Sequence, residues 1–333
     1  MAIYDGTVVI SSGGEGEGEG EGEGEGECAG ETVIFPDPNL EAAIRAQLGI
    51  PEGEPVCERR LQALTCLEAR DSGIVDLTGL EHAVNLDTLD LTSLGFIRAN
   101  EISDVTPLRN LTALTWLDLG GNQISDVTPL GNLTALRWLD LGGNQIGDVT
   151  PLGNLTRLFG LGLGDNQISD VRPLGNLTAL AHLGLYGNFI TDLSAFCSGT
   201  VLSSAGVVYL GDNPLSEEAC ACITELQAAG ATVFLGEPCG GTAGQPRARV
   251  SAVPSSGEPP LEVQFTDHSW APEVDPIVSW AWNFGDGESS AEQNPLHTYA
   301  AEGDYWANLA VTTASGVSSN LWGMWIYVMT PAK

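Results

Sequence analysis

Residues 111–176 read LTALTWLDLGGNQISDVTPLGN, LTALRWLDLGGNQIGDVTPLGN and LTRLFGLGLGDNQISDVRPLGN, one 22-residue unit written three times. Self-similarity at this period marks a solenoid, in which each unit is one turn of chain that buries its apolar face only by stacking on its neighbours. Within a unit Leu recurs as LxxLxLxxN, at Leu114, Leu117, Leu119 and Asn122, and the apolar run Ile124 to Leu130 follows. The alternation predicts a short strand with Leu117 and Leu119 inward and residues 116, 118 and 120 outward. Asn122 falls where the chain leaves the strand, so its side chain can hydrogen-bond open backbone groups of adjacent coils. Pro129 has no N–H to offer a ladder and belongs on the return segment.

Outward from this core the units become irregular. LTCLEARDSGIVDLTGL fits the pattern through Leu64, Leu67, Ile74, Asp76 and Leu80, with Ala69 and Ser72 in place of Leu and Asn. In the next coil eight residues, TSLGFIRA, separate Leu91 from Asn100 where regular units have two. That insertion sits at the rim beside the concave face, a place for added binding specificity or for neutral loop drift. LTALAHLGLYGNFITDLSAF carries the pattern through residue 196, and a looser coil ends at Asn213.

The expected organisation is a strand at 1–12, a Gly/Glu linker at 13–30, a helical cap with the first atypical repeat at 31–83, and repeats at 84–214. A C-terminal cap at 215–239, a linker at 240–246 and a β-sandwich at 247–333 complete it. The linker reading rests on GGEGEGEGEGEGEGEC, which has nothing apolar to bury. In the N-terminal cap Asp37 is placed to cap a helix that has Pro38 in its first turn, Leu40, Ile44 and Leu48 on one face, and Gly49 at its end. Ser216 starts the C-terminal helix, with Ala219, Cys222, Ile223 and Leu226 on its apolar face and Cys220 pointing elsewhere. After residue 246 the period shortens to strand alternation, as in LEVQF and YWANLAVTT.

These motifs resemble two families. LxxLxLxxN with IxDVxPL resembles the short leucine-rich repeats of bacterial internalin-like surface proteins. Trp282-Asn283-Phe284-Gly285-Asp286-Gly287, with Asn294-Pro295 and His297-Thr298-Tyr299 downstream, resembles the PKD domain, an immunoglobulin-like sandwich found in bacterial surface proteins and secreted enzymes. The ending LWGMWIYVMT holds more aromatic residues than the usual polar outer face of that family. The expected fold is therefore multidomain. A leucine-rich-repeat solenoid, with short parallel strands, a convex side of 3₁₀ turns and helical caps, is followed by an all-β PKD sandwich.

The net charge of −32 and a single lysine, Lys333, argue against nucleic acid as partner, because no basic surface meets phosphates. No apolar run of ~18 residues is present to insert in a membrane. The start lacks the pattern of a signal peptide, so an exported chain is expected to have one upstream. Of seven cysteines, three precede the regular repeats and four follow them, the placement expected of disulfides that staple cap cores in an oxidising compartment. The candidates are Cys28, Cys57, Cys66, Cys197, Cys220 and Cys239, with connectivity open.

The outward column is the candidate binding face: Trp116, Asp118, Trp138, Asp140, His182 and Tyr186, with Gly160, Gly162 and Gly164 as a bare patch between them. Exposed aromatics beside carboxylates suit a protein epitope or a sugar face, though recent duplication of one unit also explains the Trp pair. The Asp ladder Asp104, Asp126, Asp148, Asp170 and Asp192 reads as caps of convex turns rather than a metal site. Asn110, Asn132, Asn154 and Asn176 form Asn-Leu-Thr sequons that repeat periodicity explains as well. No catalytic set, cofactor motif or metal-ligand spacing is present. The expected function is non-enzymatic recognition or adhesion at the cell surface, with an extracellular protein or glycan as partner. Alternatives are a structural subunit, self-associating through residues 1–12 or the sandwich edge, and an accessory region of a larger secreted hydrolase.

Overall fold

The computed structural model describes residue 28 and residues 32–94, 99–197, 206–235, 245–272 and 274–329. The expected strand at 1–12, Cys239 and most of both linkers lie outside the described residues.

Eight three-residue strands form one parallel sheet in chain order. They are β1 (Cys66–Glu68), β2 (Thr88–Asp90), β3 (Trp116–Asp118), β4 (Trp138–Asp140), β5 (Gly160–Gly162), β6 (His182–Gly184), β7 (Val207–Tyr209) and β8 (Thr232–Phe234). The register places Leu67, Leu89, Leu117, Leu139, Leu161, Leu183, Val208 and Val233 in one row. All but Val233 are buried, as the alternation requires. Short 3₁₀ turns such as Thr106–Asn110 and Thr128–Asn132 line the convex side, each with Pro in its first positions, where a missing N–H costs nothing.

A row of buried asparagines ties coil to coil. The Ile124 N–H donates to Asn144 Oδ1 at 2.9 Å, and Asn144 Nδ2 donates to the Leu119 and Leu141 carbonyls, each at 3.0 Å. Asn100, Asn122, Asn166, Asn188 and Asn213 repeat the arrangement. One carboxamide thus satisfies three or more backbone groups that no strand partner reaches. On the convex side each Asp of the ladder accepts from the N–H two residues on, as Asp126 does from Thr128 at 2.8 Å.

Both ends are closed. Helix α1 (Pro38–Leu48) buries Leu40 and Ile44 and ends at Gly49 in the left-handed conformation, and α2 (Glu58–Leu61) follows it. Asp37 accepts from the N–H groups of Asn39 and Leu40 in its own helix and of Val75 and Asp76 in the first repeat, fastening lid to solenoid. At the far end α3 (Ser194–Cys197) packs under α4 (Glu217–Ala228), which Ser216 caps. Cys28 is bridged to Cys57 and Cys197 to Cys222, and Cys220 is disulfide-bonded as well. The cysteine expectation needs correction at two positions. Cys222, which is not among the candidates, reaches Cys197 under the cap, whereas Cys66 is a free thiol.

The sandwich has two sheets. One runs in the order β14 (Leu296–Tyr299), β11 (Leu261–Asp267), β9 (Val250–Val253). The other runs β10 (Ser256–Gly257), β16 (Trp322–Val328), β15 (Gly303–Thr313), β12 (Ile277–Asn283), β13 (Ser289–Ser290). Phe265, Trp282, Phe284 and Tyr299 fill the space between them. His297 lies flat on Phe284 at 4.0 Å and holds Asp286 at 2.7 Å, so the turn Gly285-Asp286-Gly287 is fixed from inside.

Candidate functional site

Strand alternation leaves one residue in two on the concave face free of stacking duties, and the register puts equivalent ones side by side: Trp116 on Trp138, and Asp90, Asp118 and Asp140 in a row. The indoles stack at 5.6 Å with 26° between planes, and Trp116 remains 42% exposed. His182 lies 6.4 Å from Trp138 across β5 and meets Phe159 edge-on at 5.2 Å.

The glycine patch is not bare. A side chain at Gly160 would collide with the indole of Trp138, one at Gly162 with the Asp140 carboxylate, and one at Gly164 with the Tyr186 ring. The glycines let those three groups lie flat, and the column from Trp116 to Tyr186 becomes a continuous surface. Sequence reasoning missed Phe159, Tyr209 and Phe234, which are exposed and extend it, the last two stacked at 5.0 Å. Carrying the alternation into the irregular coils, where Val208 and Val233 replace Leu, would have found the last two.

The carboxylates differ in their surroundings. Burial raises the pKa of Asp90, but hydrogen bonds from Arg70 Nε at 2.7 Å and from Thr92 outweigh it and hold the group below the usual range. Among the described residues no cation hydrogen-bonds to Asp118. Burial, with Asp140 and Asp90 on either side, pushes its carboxyl up. The face therefore presents apolar rings next to a row of carboxylates backed by low-dielectric protein. That suits a ligand with a flat apolar side and cationic or hydrogen-bond-donating groups.

Residues 112–154 match the family model for leucine-rich repeats and residues 244–322 that for the PKD domain. The chain is an internalin-like leucine-rich-repeat protein fused to a PKD domain. Among solved structures, internalin C2 of Listeria monocytogenes is similar at 32% identity, covering 60% of this chain and 95% of that one, with a TM-score of 0.45. The PKD1 domain of the Vibrio cholerae metalloprotease PrtV is similar at 31% identity, covering 26% of this chain and 99% of that one, with a TM-score of 0.23. Among curated proteins, collagenase ColA of Bacillus cereus is 39% identical over 66 residues, 20% of this chain and 7% of that protein, in the PKD region. The chain spans less than a tenth of the length of such relatives. No helix among the described residues is long and apolar enough to cross a membrane.

Proposed function

We propose that the protein is an exported, non-enzymatic recognition module that binds a protein or glycan on the concave face of its solenoid, with the sandwich as spacer or second contact. One observation carries this reading: an exposed Trp116 stacked on a half-buried Trp138 beside a row of carboxylates, at positions that stacking of the coils does not need. Exposed tryptophans on a rigid parallel sheet lose little entropy on binding and are the residue type most often found at binding hot spots. Disulfides in both caps support a location in an oxidising compartment.

The test is binding of the protein to immobilised extracellular-matrix, cell-wall and glycan panels, with a Trp116→Ala/Trp138→Ala variant alongside. A ligand held by the wild type is expected to lose about tenfold or more in affinity, with the thermal midpoint unchanged. Equal binding by both proteins would refute the concave platform. The resemblance of the PKD region to collagenases favours a second reading, an accessory region of a larger secreted hydrolase. A catalytic domain in the same reading frame would decide for it.

A further inference from the structure

Beside the concave face, where each coil turns from its strand to its ladder asparagine, the solenoid rim meets β16 and the first strands of the sandwich across a cleft of about 350 Å³. One wall carries Gln123, Gln145 and Gln167, the residue after the ladder asparagine in three successive coils. Their N–H groups are fixed to the Ile102, Ile124 and Ile146 carbonyls at 2.8–2.9 Å, while none of the three carboxamides has a hydrogen-bond partner among the described residues. The opposite wall carries Trp322, Trp325 and Tyr327 of β16. Strand β10 pairs only with Tyr327 and Val328, which leaves residues 322–325 to line the cleft. These are the surplus aromatics of LWGMWIYVMT, and Trp325 is 48% exposed.

The two walls are joined at departures from the repeat. Asp165 occupies, with φ +51°, the left-handed position held by glycine at 121, 143 and 187, and faces Arg249 Nη2 at 3.5 Å. Asp212 makes the same exchange, with φ +56°, and faces Arg247 at 3.7 Å. Glu101 stands where the next three coils have Gln and accepts from Ser255 Oγ at 3.2 Å. The Arg249 guanidinium lies on the Trp322 ring at 3.6 Å, and its Nη1 is buried with no partner among the described residues. A non-glycine residue in the left-handed conformation is disfavoured. Two of the three among the described residues are those that meet the sandwich arginines, so this junction is specific to these coils.

We propose that this cleft is a second binding site, separate from the concave face, for a linear, uncharged β-linked oligosaccharide. Three things point to that class. Carboxamides free to donate and accept match vicinal hydroxyls, and aromatic faces opposite them match the apolar faces of pyranose rings. The carboxamides also recur at the strand spacing of a sheet, about 4.8 Å, close to the advance per sugar in an extended β-linked chain. Glu101, Asp165 and the strongly negative chain disfavour polyanions.

Titration of the full chain with cellohexaose, xylohexaose, mannohexaose and chitohexaose by calorimetry tests the site. At least one is expected to bind, with affinity lowered about tenfold by Trp325→Ala and about threefold to tenfold by Gln145→Ala. The Trp116→Ala/Trp138→Ala variant is expected to bind it normally. Both cleft side chains are outside the core, and unchanged thermal midpoints check that their loss acts on binding alone. Silence with all four sugars, or binding that neither cleft variant weakens, would overturn the proposal. Loss in the Trp116/Trp138 variant alone would overturn it too, and would place the sugar on the concave face.

Discussion

In the solenoid, the regular coils insert the same side chains at the same place. Leu117, Leu139 and Leu161 share one row, and Asn122, Asn144 and Asn166 share another. The sandwich instead gathers Phe265, Trp282, Phe284 and Tyr299, from three stretches of the chain, around a single centre. The difference is one of how stability is distributed. A solenoid is near to a sum of like coils and interfaces, so damage stays local, whereas a small sandwich has one cooperative core and loses it as a whole.

Trp282→Ala is the change that would break the comparison most sharply. It removes a fully buried indole that also donates to the Glu292 carbonyl at 2.9 Å, at a cost of about 3–5 kcal/mol. That is comparable to the stability of a small domain. Calorimetry is expected to show the sandwich unfolding well below a solenoid transition that stays in place. A single transition that falls as a whole would show that the junction at Asp165 and Arg249 makes the two regions one cooperative unit.

Within the solenoid, Asn144→Ala leaves the Ile124 N–H buried without its partner and takes one of two amide donors from each of the Leu119 and Leu141 carbonyls, which Asn122 and Asn166 still reach, a loss of about 1–3 kcal/mol. Hydrogen exchange is expected to rise in the coils around 124–146 and to stay low near β1 and β8. Uniform loss of protection would contradict a one-dimensional stack.

The smallest expected effect sharpens the same point at the solenoid's end. Asp37→Ala removes a carboxylate that caps α1 and holds two N–H groups of the first repeat, with a cost of about 1–2 kcal/mol. Burial works against this carboxylate's charge, but the four backbone donors outweigh it and hold its folded pKa below the ordinary carboxylate value. Its contribution is therefore full above the unfolded-state value of about 3.9 and is lost as pH falls through the lower folded value. The gap in thermal midpoint between wild type and variant is expected to be constant near neutrality and to narrow in that acid range. A gap that stays the same through it would rule out the capping role.

Most of the architecture was legible because it rests on repetition. A 22-residue period with alternating Leu leaves the chain one way to bury its apolar row, and Asn at a fixed offset completes the hydrogen bonds, so Leu117 and Asn122 were assigned from sequence alone. Asp37, Pro38 and Gly49 were legible for a different reason, since helix ends have local chemistry. Pairing of Cys222 with Cys197 was not, because a helix face says which residues are inward but not what lies beneath them. The glycines at 160, 162 and 164 misled in a similar way: an absent side chain reads as a gap until the neighbouring ring is seen lying over it. Phe159 escaped because it stands immediately before its strand, outside the alternating triplet, and Tyr209 and Phe234 because they lie in coils where the marker leucines are replaced.

What the sequence determined by itself was everything that depends on short-range periodicity: the row of strands, the asparagine ladder, the caps, the outward position of Trp116 and Trp138, and the two families. Only the tertiary structure decided which face of the sandwich meets the solenoid, that Asp165 and Asp212 stand opposite Arg249 and Arg247, and that Gln123, Gln145 and Gln167 look across at Trp322 and Trp325. Those contacts join residues some 35 to 200 positions apart that belong to different periods, Gln123 and Trp322 among them. A repeat fixes what each coil shows to its neighbour, and nothing in it fixes what a separate domain will bring to its rim.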